Sequence, residues 1–131
     1  MQPPEIGESL KVFHLEEAGD LLPLVKKVTA ISYQQLGPVQ DRLNRMLAND
    51  PRRAQHEQAY QLIVSNWKKK IERLGVTTTG LWMVDFDLGN GCLAWRYPEL
   101  SLAYFREHGK SFEERIKLAD YIEENDPDWA H

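Results

Sequence analysis

The sequence predicts an α+β fold: a long antiparallel helical hairpin packed on a small antiparallel β-hairpin or three-stranded sheet, with a short C-terminal helix. Apolar residues recur at three- and four-residue steps over residues 15–47 and again over 60–74, as on one face of a helix. Residues 84–97 instead alternate with period two around Asn90-Gly91, a dipeptide typical of tight hairpin turns. Two long helices joined by a short loop lie antiparallel, so the apolar face of the hairpin is the natural third layer.

The first helix is predicted to begin after His14, which occupies the N-cap position with Glu17 three residues later, as in a capping box. Pro23 lies too far inside this helix to be a first-turn proline, so we expect a kink or break near residue 19 and a second one at Gly37-Pro38. Before the helix, the segment "LKVFHL" is interpreted as a short strand.

The second helix is predicted to begin at Pro51, after the cap residue Asp50, and to end at Gly75 as a left-handed C-cap. Further along, "LSLAYFR" offers a third strand. A capping box formed by Ser111 and Glu114 predicts a short final helix that reaches about Glu124.

The hairpin register follows from taking Asn90 and Gly91 as the two loop residues. One face then carries three facing apolar pairs, and the other face pairs opposite charges. A shift of two residues would keep both faces but lose the charge pair, so we expect the first register: Leu88 with Leu93, Phe86 with Trp95, Val84 with Tyr97, and Asp85 with Arg96. Cys92 is expected on the outer, polar face as a free thiol facing solvent.

Length and composition indicate one domain over residues 1–131, with 42% hydrophobic and 27% charged residues. Residues 1–10 and 126–131 are expected to be flexible. The start "MQPPEIGES" has no basic residue and no apolar run, and no later segment has the length and apolar character of a membrane span. We therefore expect a cytoplasmic protein.

Several function classes are disfavoured by the sequence. A formal net charge of -4 argues against broad nucleic-acid binding, which requires a basic face. The four histidines have no partner at i, i+4 spacing and the chain has one cysteine, so no metal site and no cofactor are predicted. No nucleophile motif, phosphate loop or pair of carboxylates in acid and base positions is present, so no catalytic residue is assigned and a non-enzymatic role is favoured.

Two segments carry a resemblance to a known family. "FHLEEAGDLLP" is similar to a Phe-Thr-Leu-Glu-Glu-Ala opening followed by Leu-Leu-Pro, and "AWRYPELSLAYFREHGKSFEER" follows the spacing of Cys-Trp-Arg, Gly-Glu, Tyr-Trp-His and Gly-Phe-x-Gly-Arg segments. These features resemble the uncharacterised bacterial family known as domain of unknown function 2203, over most of residues 13–117. The resemblance implies a helical hairpin with a small sheet and brings no known activity.

The positions that keep the family pattern include Asp85, Phe86, Trp95, Arg96, Glu99, Tyr104, Phe112 and Arg115. Four positions depart from it: Asp87 replaces Pro, Ala94 replaces Cys, Pro98 replaces Gly and Arg106 replaces His. A family function that depends on that His as a ligand or base would not carry over in the same way.

Five charged residues form the candidate site for a ligand or partner: Asp85, Arg96, Glu99, Arg106 and Arg115. We expect Arg96, oriented by Asp85, to be its centre, because a guanidinium held on a rigid strand suits recognition. The favoured function is a non-enzymatic module that binds an unidentified protein partner and self-associates as a dimer through its helices. The alternative is binding or turnover of a small anionic ligand by the arginines, which match carboxylate or phosphate with paired donors.

Overall fold

The computed structural model describes residues 11–131, so the expected flexibility of residues 1–10 concerns a part outside it. The elements in chain order are α1 (Leu15–Arg45), α2 (Arg53–Arg73), β1 (Thr77–Gly80), β2 (Met83–Asp87), β3 (Gly91–Arg96), β4 (Tyr104–Glu107), the 3-10 turn Phe112–Glu114, β5 (Ile116–Lys117), α3 (Leu118–Asn125) and the 3-10 turn Asp128–Ala130. Over residues 11–131, no helix has both the length and the apolar character needed to cross a bilayer.

The strands form one antiparallel sheet in the order β1-β2-β3-β4-β5, so each strand pairs with its neighbours along the chain. The predicted α+β class, the long helical pair and the short C-terminal helix are confirmed. The sheet is larger than expected, because β1 and β5 add edge strands of four and two residues. Segments this short cannot show a period-two pattern in the sequence.

Helix α1 runs without interruption through Pro23 and Pro38, so the expected breaks do not occur. A proline inside a helix removes one main-chain hydrogen bond and costs about 3 kcal/mol. The buried side chains lie on the same face of the helix before, between and after the two prolines, and their packing outweighs this cost. They are Ala18, Leu22, Val25, Thr29, Ser32, Leu36 and Val39. At the helix start, Glu17 Oε1 accepts the His14 N–H at 2.9 Å, which confirms the capping contact.

The two long helices lie antiparallel, joined at both ends of their contact. Near the loop, Arg53 Nη1 donates to the Leu43 carbonyl at 3.0 Å. Toward the sheet, Trp67 Nε1 donates to Thr29 Oγ1 at 2.9 Å, and both residues are buried. Helix α2 begins at Arg53, two residues later than predicted, and Gly75 follows its end with φ +85° as expected for a left-handed cap.

The β2–β3 hairpin turns at Gly89-Asn90, one residue earlier than predicted. Val84 lies opposite Trp95, Phe86 opposite Leu93 and Asp85 opposite Ala94. The expected register, with Asp85 facing Arg96, is therefore wrong by two residues, although each face keeps its predicted side chains. Of the two turn residues only Gly89 has a positive φ, +100°, and glycine adopts this readily.

Gly91 is required inside the sheet and is therefore not available as a turn residue. It pairs with Glu107 of β4 across the sheet. A Cβ at position 91 would lie 2.9 Å from the Arg106 carbonyl oxygen and closer still to the Phe105 ring. This contact with β4 decides the register, since both Gly-Asn and Asn-Gly dipeptides suit a tight turn.

Within the C-terminal residues 126–131, for which we expect flexibility, Pro127 and Trp129 are buried. Trp129 is buried, and its Nε1 donates to Asn90 Oδ1 at 2.8 Å. The Trp129 ring stacks with Phe105 and Tyr121 at centroid separations of 5.6 and 5.9 Å. These contacts of Trp129 join the C-terminal segment to the hairpin turn and to the core.

Two further local expectations differ from the structure. The Ser111–Glu114 capping contact is present, with Ser111 Oγ donating to Glu114 Oε1 at 3.0 Å, but it opens only a 3-10 turn. The final helix begins later, at Leu118. Residues 11–14 form no strand, although the Phe13 N–H donates to the Asp87 carbonyl at 2.7 Å. Leu10, the first residue of that predicted strand, lies outside the described residues.

Candidate functional site

The sheet has an apolar face toward the helices and a polar face on the opposite side. Val84, Phe86, Leu93, Trp95 and Phe105 project to the apolar face and belong to the main core. Period-two alternation places Asp85, Asp87, Arg96 and Arg106 on the other face. Every residue of β3 except Arg96 is buried, so long side chains must cover the polar face.

Asp85 forms its ion pair with Arg106 of β4, not with Arg96. The Asp85 side chain is 6% exposed and that of Arg106 is 15% exposed. Asp85 Oδ2 accepts from Arg106 Nη2, and Arg106 Nη1 donates to the Lys110 carbonyl at 2.8 Å. Asp85 Oδ1 is buried and has no partner among residues 11–131. Burial raises the pKa of Asp85, although the charge of Arg106 partly opposes this.

Cys92 is buried on the polar face, so the prediction of a solvent-facing thiol is wrong. It pairs with Asp87 on β2 and with Arg106 on β4. Burial raises the pKa of the Cys92 thiol to about 12, and the neighbouring charge of Asp85 adds to this. The thiol is therefore protonated at neutral pH and is not set up as a nucleophile.

Arg115 is held between two aromatic rings on the polar side of the sheet. Its guanidinium carbon lies 3.9 Å from the centroid of Phe112 and 4.4 Å from that of Tyr104. Its Nη1 donates to Glu99 Oε1 at 3.0 Å and to the Ala94 carbonyl at 3.1 Å. Stacking and hydrogen bonds together fix the plane of this guanidinium.

Glu99 closes the loop after β3 and so positions the strand end. Its Oε1 accepts the Arg96 main-chain N–H at 3.0 Å, and its own N–H donates to the Arg96 carbonyl at 2.8 Å. Its carbonyl accepts from the buried Trp95 Nε1 at 2.9 Å. The carboxylate thus serves two donors, Arg115 and the Arg96 backbone.

Arg96 carries an exposed guanidinium. The residue is exposed, and its guanidinium carbon lies 5.2 Å from the Phe112 centroid. In the part of the chain that the structure describes, its side chain makes no hydrogen bond or ion pair. It lines an open cavity of about 210 Å³, which we name the arginine cleft, together with Tyr104, Phe112, Glu113 and Arg115.

The five candidate residues therefore fall into two groups. Arg96 and Arg115 line the arginine cleft, and Glu99 bonds to the Arg115 side chain and to the Arg96 backbone. Asp85 and Arg106 instead pair with each other on the sheet. Tyr104 and Phe112 were not candidates, although both stack on Arg115. Phe112 lies in the 3-10 turn before the two-residue strand β5, so no local pattern in the sequence indicates that it lies near Tyr104.

Within residues 11–131, no group of three or more His, Cys, Asp or Glu side chains is arranged to hold a metal ion. What the arginine cleft offers chemically is hydrogen-bond donors of positive charge beside aromatic rings. Guanidinium donors match carboxylate and phosphate oxygen atoms in charge and geometry.

One protein family matches the chain in sequence. The sequence model of the family described as "Uncharacterized conserved protein (DUF2203)" matches residues 11–118. The chain belongs to the DUF2203 family. The match includes both long helices, the whole sheet and every residue of the arginine cleft. No curated protein and no solved structure shows a significant match to the chain.

Proposed function

We propose that this DUF2203 protein is a non-enzymatic interaction module that binds an acidic group of a protein partner in the arginine cleft. The observation that carries the proposal is the contrast between the two arginines there. Arg115 is fixed by Glu99 and by two rings, while Arg96 beside it is exposed and has no hydrogen-bonding partner among the described side chains. A fixed guanidinium next to an available one suits an incoming anion.

The size of the cleft favours a protein partner over a whole small molecule. Its volume is about 210 Å³, and it is open to solvent. Pockets that bury drug-sized ligands typically measure about 300–1,000 Å³. The cleft can therefore hold one carboxylate or phosphate group, while the rest of the bound molecule lies outside it. This is how an acidic side chain of a partner would bind.

The second candidate function is binding of a small anionic ligand at the same cleft. Arg96 supports it with a guanidinium that makes no hydrogen bond among the described residues, and Arg115 adds its Nε and Nη2 donors, since only its Nη1 is engaged there. Arg106, which we also expected to take part, supports it less. Its guanidinium is already engaged by Asp85 and by the Lys110 carbonyl.

A quantitative affinity purification with three baits tests the proposal. The baits are the unmodified chain, Arg96→Ala and Arg45→Ala, a matched control at an exposed position on α1. We expect a partner that is retained by the control and lost with Arg96→Ala. A thermal-shift screen of phosphates, nucleotides and carboxylates is run beside it. A ligand that raises the Tm of the unmodified chain and not of Arg96→Ala would favour the second candidate. Equal behaviour of the three proteins in both experiments would reject both candidates.

We further propose that the protein forms a dimer through its helices. Leu21, Leu24, Val28 and Ile31 follow the three-four spacing of a helix-pairing stripe on α1. Leu24 and Ile31 are 44% and 47% exposed, so the core covers this stripe only in part. Sedimentation at tens of micromolar should give a dimer that a Leu24→Gln, Ile31→Gln variant disrupts. A 15.2 kDa monomer for the unmodified chain would contradict this.

We also propose that the protein is located in the cytoplasm. This location is supported by the absence of a spanning helix among residues 11–131. Cell fractionation with an antibody against the chain tests it.

A further inference from the structure

The guanidinium of Arg115 is engaged on one side only. Its Nη1 donates to Glu99 Oε1 at 3.0 Å and to the Ala94 carbonyl at 3.1 Å. Its Nε and Nη2 make no hydrogen bond among the described residues, and the two together form an edge with parallel donors, which matches the two oxygen atoms of a carboxylate. Arg115 lines the arginine cleft, so these are the donors that an anion in the cleft would use.

The orientation of this edge is fixed before any ligand binds. The rings of Phe112 and Tyr104 lie 3.9 and 4.4 Å from the guanidinium carbon, and the Arg115 side chain is only 13% exposed. A pair of donors that is already held in one plane loses less side-chain entropy on binding than a mobile arginine does. Arg96 is exposed and less restrained, so it can adjust to the bound group as a second cation.

The charges at the arginine cleft are balanced. Arg96, Arg115 and Glu113 line it, and Glu99 accepts a hydrogen bond from Arg115. Two positive charges are therefore matched by two negative ones. Lys117 of β5 lines a different cavity. The cleft thus offers charged donors without a net excess of positive charge.

This balance affects carboxylate and phosphate groups differently. A carboxylate carries one negative charge, whereas a phosphate monoester carries about 1.5 to 2 near neutral pH. In a cleft without net positive charge, the additional charge gains no net attraction, and it costs more free energy to remove from water. Glu113 also repels each anion in proportion to the charge of that anion.

Resting on the proposed function, we propose that the acidic group bound in the arginine cleft is a carboxylate, held by the Nε–Nη2 edge of Arg115 and selected over a phosphate by this charge balance. Arg96 supplies the second cation. Such a carboxylate belongs to an Asp or Glu side chain or to the C-terminus of a chain. The chemistry of recognition is the same for both sources, so the test includes each of them.

Four N-acetylated tripeptides are the probes. Three are amidated at the C-terminus and carry Glu, phosphoserine or Gln between two alanines, and the fourth is trialanine with a free C-terminal carboxylate. Each is titrated into the full chain at neutral pH, and the NMR signals of the Arg96 and Arg115 Nε–Hε groups report its Kd. The variants are Glu113→Gln at the cleft and Glu16→Gln, a matched control on α1, both at exposed positions.

We expect at least one of the carboxylate peptides to bind about threefold or more tightly than the phosphoserine peptide, and the Gln peptide to cause no shift. In Glu113→Gln this preference should shrink, because loss of a repelling charge favours the phosphate more than the carboxylate. Glu16→Gln should keep the full preference. The tighter of the two carboxylate peptides identifies the source as a side chain or a chain end.

Three results would overturn the proposal while leaving the proposed function in place. They are a phosphoserine peptide that binds as tightly as both carboxylate peptides, a preference that is equal in Glu113→Gln and Glu16→Gln, and a shift of the Arg96 signal without one of Arg115. If no anionic peptide shifts either signal, or if the Gln peptide shifts both equally, the proposed function fails as well.

Discussion

The guanidinium of Arg115 lies 3.9 Å from the centroid of the Phe112 ring, and the guanidinium of Arg96 lies 5.2 Å from the same centroid. One aromatic ring therefore supports two cations that face a common cavity. Glu99 neutralises part of this charge by accepting from Arg115 Nη1 at 3.0 Å. Glu113 also lines the cleft. Arg96 makes no hydrogen bond or ion pair among the described residues, and it is the group to which our proposal assigns the anion.

The first prediction contrasts two neighbouring residues of β3. Arg96→Ala should change the free energy of unfolding by no more than about 1 kcal/mol, because exposed charged groups contribute little to stability. Trp95→Ala should cost about 3 to 5 kcal/mol, because it empties a fully buried position and removes the bond to the Glu99 carbonyl. Urea denaturation measures both values.

Equal destabilisation by these two substitutions would contradict the assignment of Arg96 to recognition. It would mean that the arginine stabilises the fold through contacts that the exposed position does not suggest. Arg45→Ala, at an exposed position on α1, serves as the control for loss of a surface arginine.

The second prediction concerns the pH dependence contributed by Asp85. Burial raises its pKa in the folded state above the ordinary 3.8, so the folded protein binds this proton more tightly than the unfolded chain does. The contribution of Asp85 to stability is therefore full below pH 3.8 and is lost as the pH rises through the folded-state value. The unfolding free energy of the unmodified chain minus that of Asp85→Asn should therefore decrease as the pH is raised from about 3 to 7.

An increase of that difference with pH would show the opposite sign. In that case the ion pair with Arg106 outweighs burial, and the folded-state pKa of Asp85 lies below 3.8. Glu16→Gln, at an exposed carboxylate in the first turn of α1, is the control titration.

How much of this structure could be predicted depends on the length of each pattern. The stripes of α1 and α2 run for several turns, so their packing and antiparallel arrangement followed from periodicity. The period-two alternation of residues 84–97 likewise predicted which side chains share each face of the hairpin. The register did not, because it is decided by the contact between Gly91 and Phe105 of β4, which no local pattern shows.

The same limit applies to the candidate site. Arg96, Glu99 and Arg115 were chosen as charged residues that keep a family pattern, and the structure brings them together. Asp85 was assigned to Arg96 through the register, so the error of two residues gave it the wrong partner. The role of Phe112 depends on the fold of residues 108–115, a connection whose capping box had suggested a helix.

The third prediction is that Cys92 is unreactive in the folded protein. A pKa of about 12 leaves roughly one thiol in ten thousand ionised at pH 8, and the thiolate is the form that reacts. Iodoacetamide should label Cys92 slowly under native conditions and rapidly in denaturant, as followed by mass spectrometry. Rapid labelling under native conditions would show that the thiol is accessible and ionised, and would contradict the buried position of Cys92 in β3.

The most direct test of the arginine cleft is a titration followed by NMR of the arginine side-chain Nε–Hε groups, with N-acetyl-glutamate as the probe. The account predicts that the Arg96 and Arg115 signals shift together and saturate, while those of Arg106, engaged by Asp85, and of the exposed Arg45 stay in place. Equal shifts at all arginines, or no shift at Arg96, would contradict anion binding at the cleft.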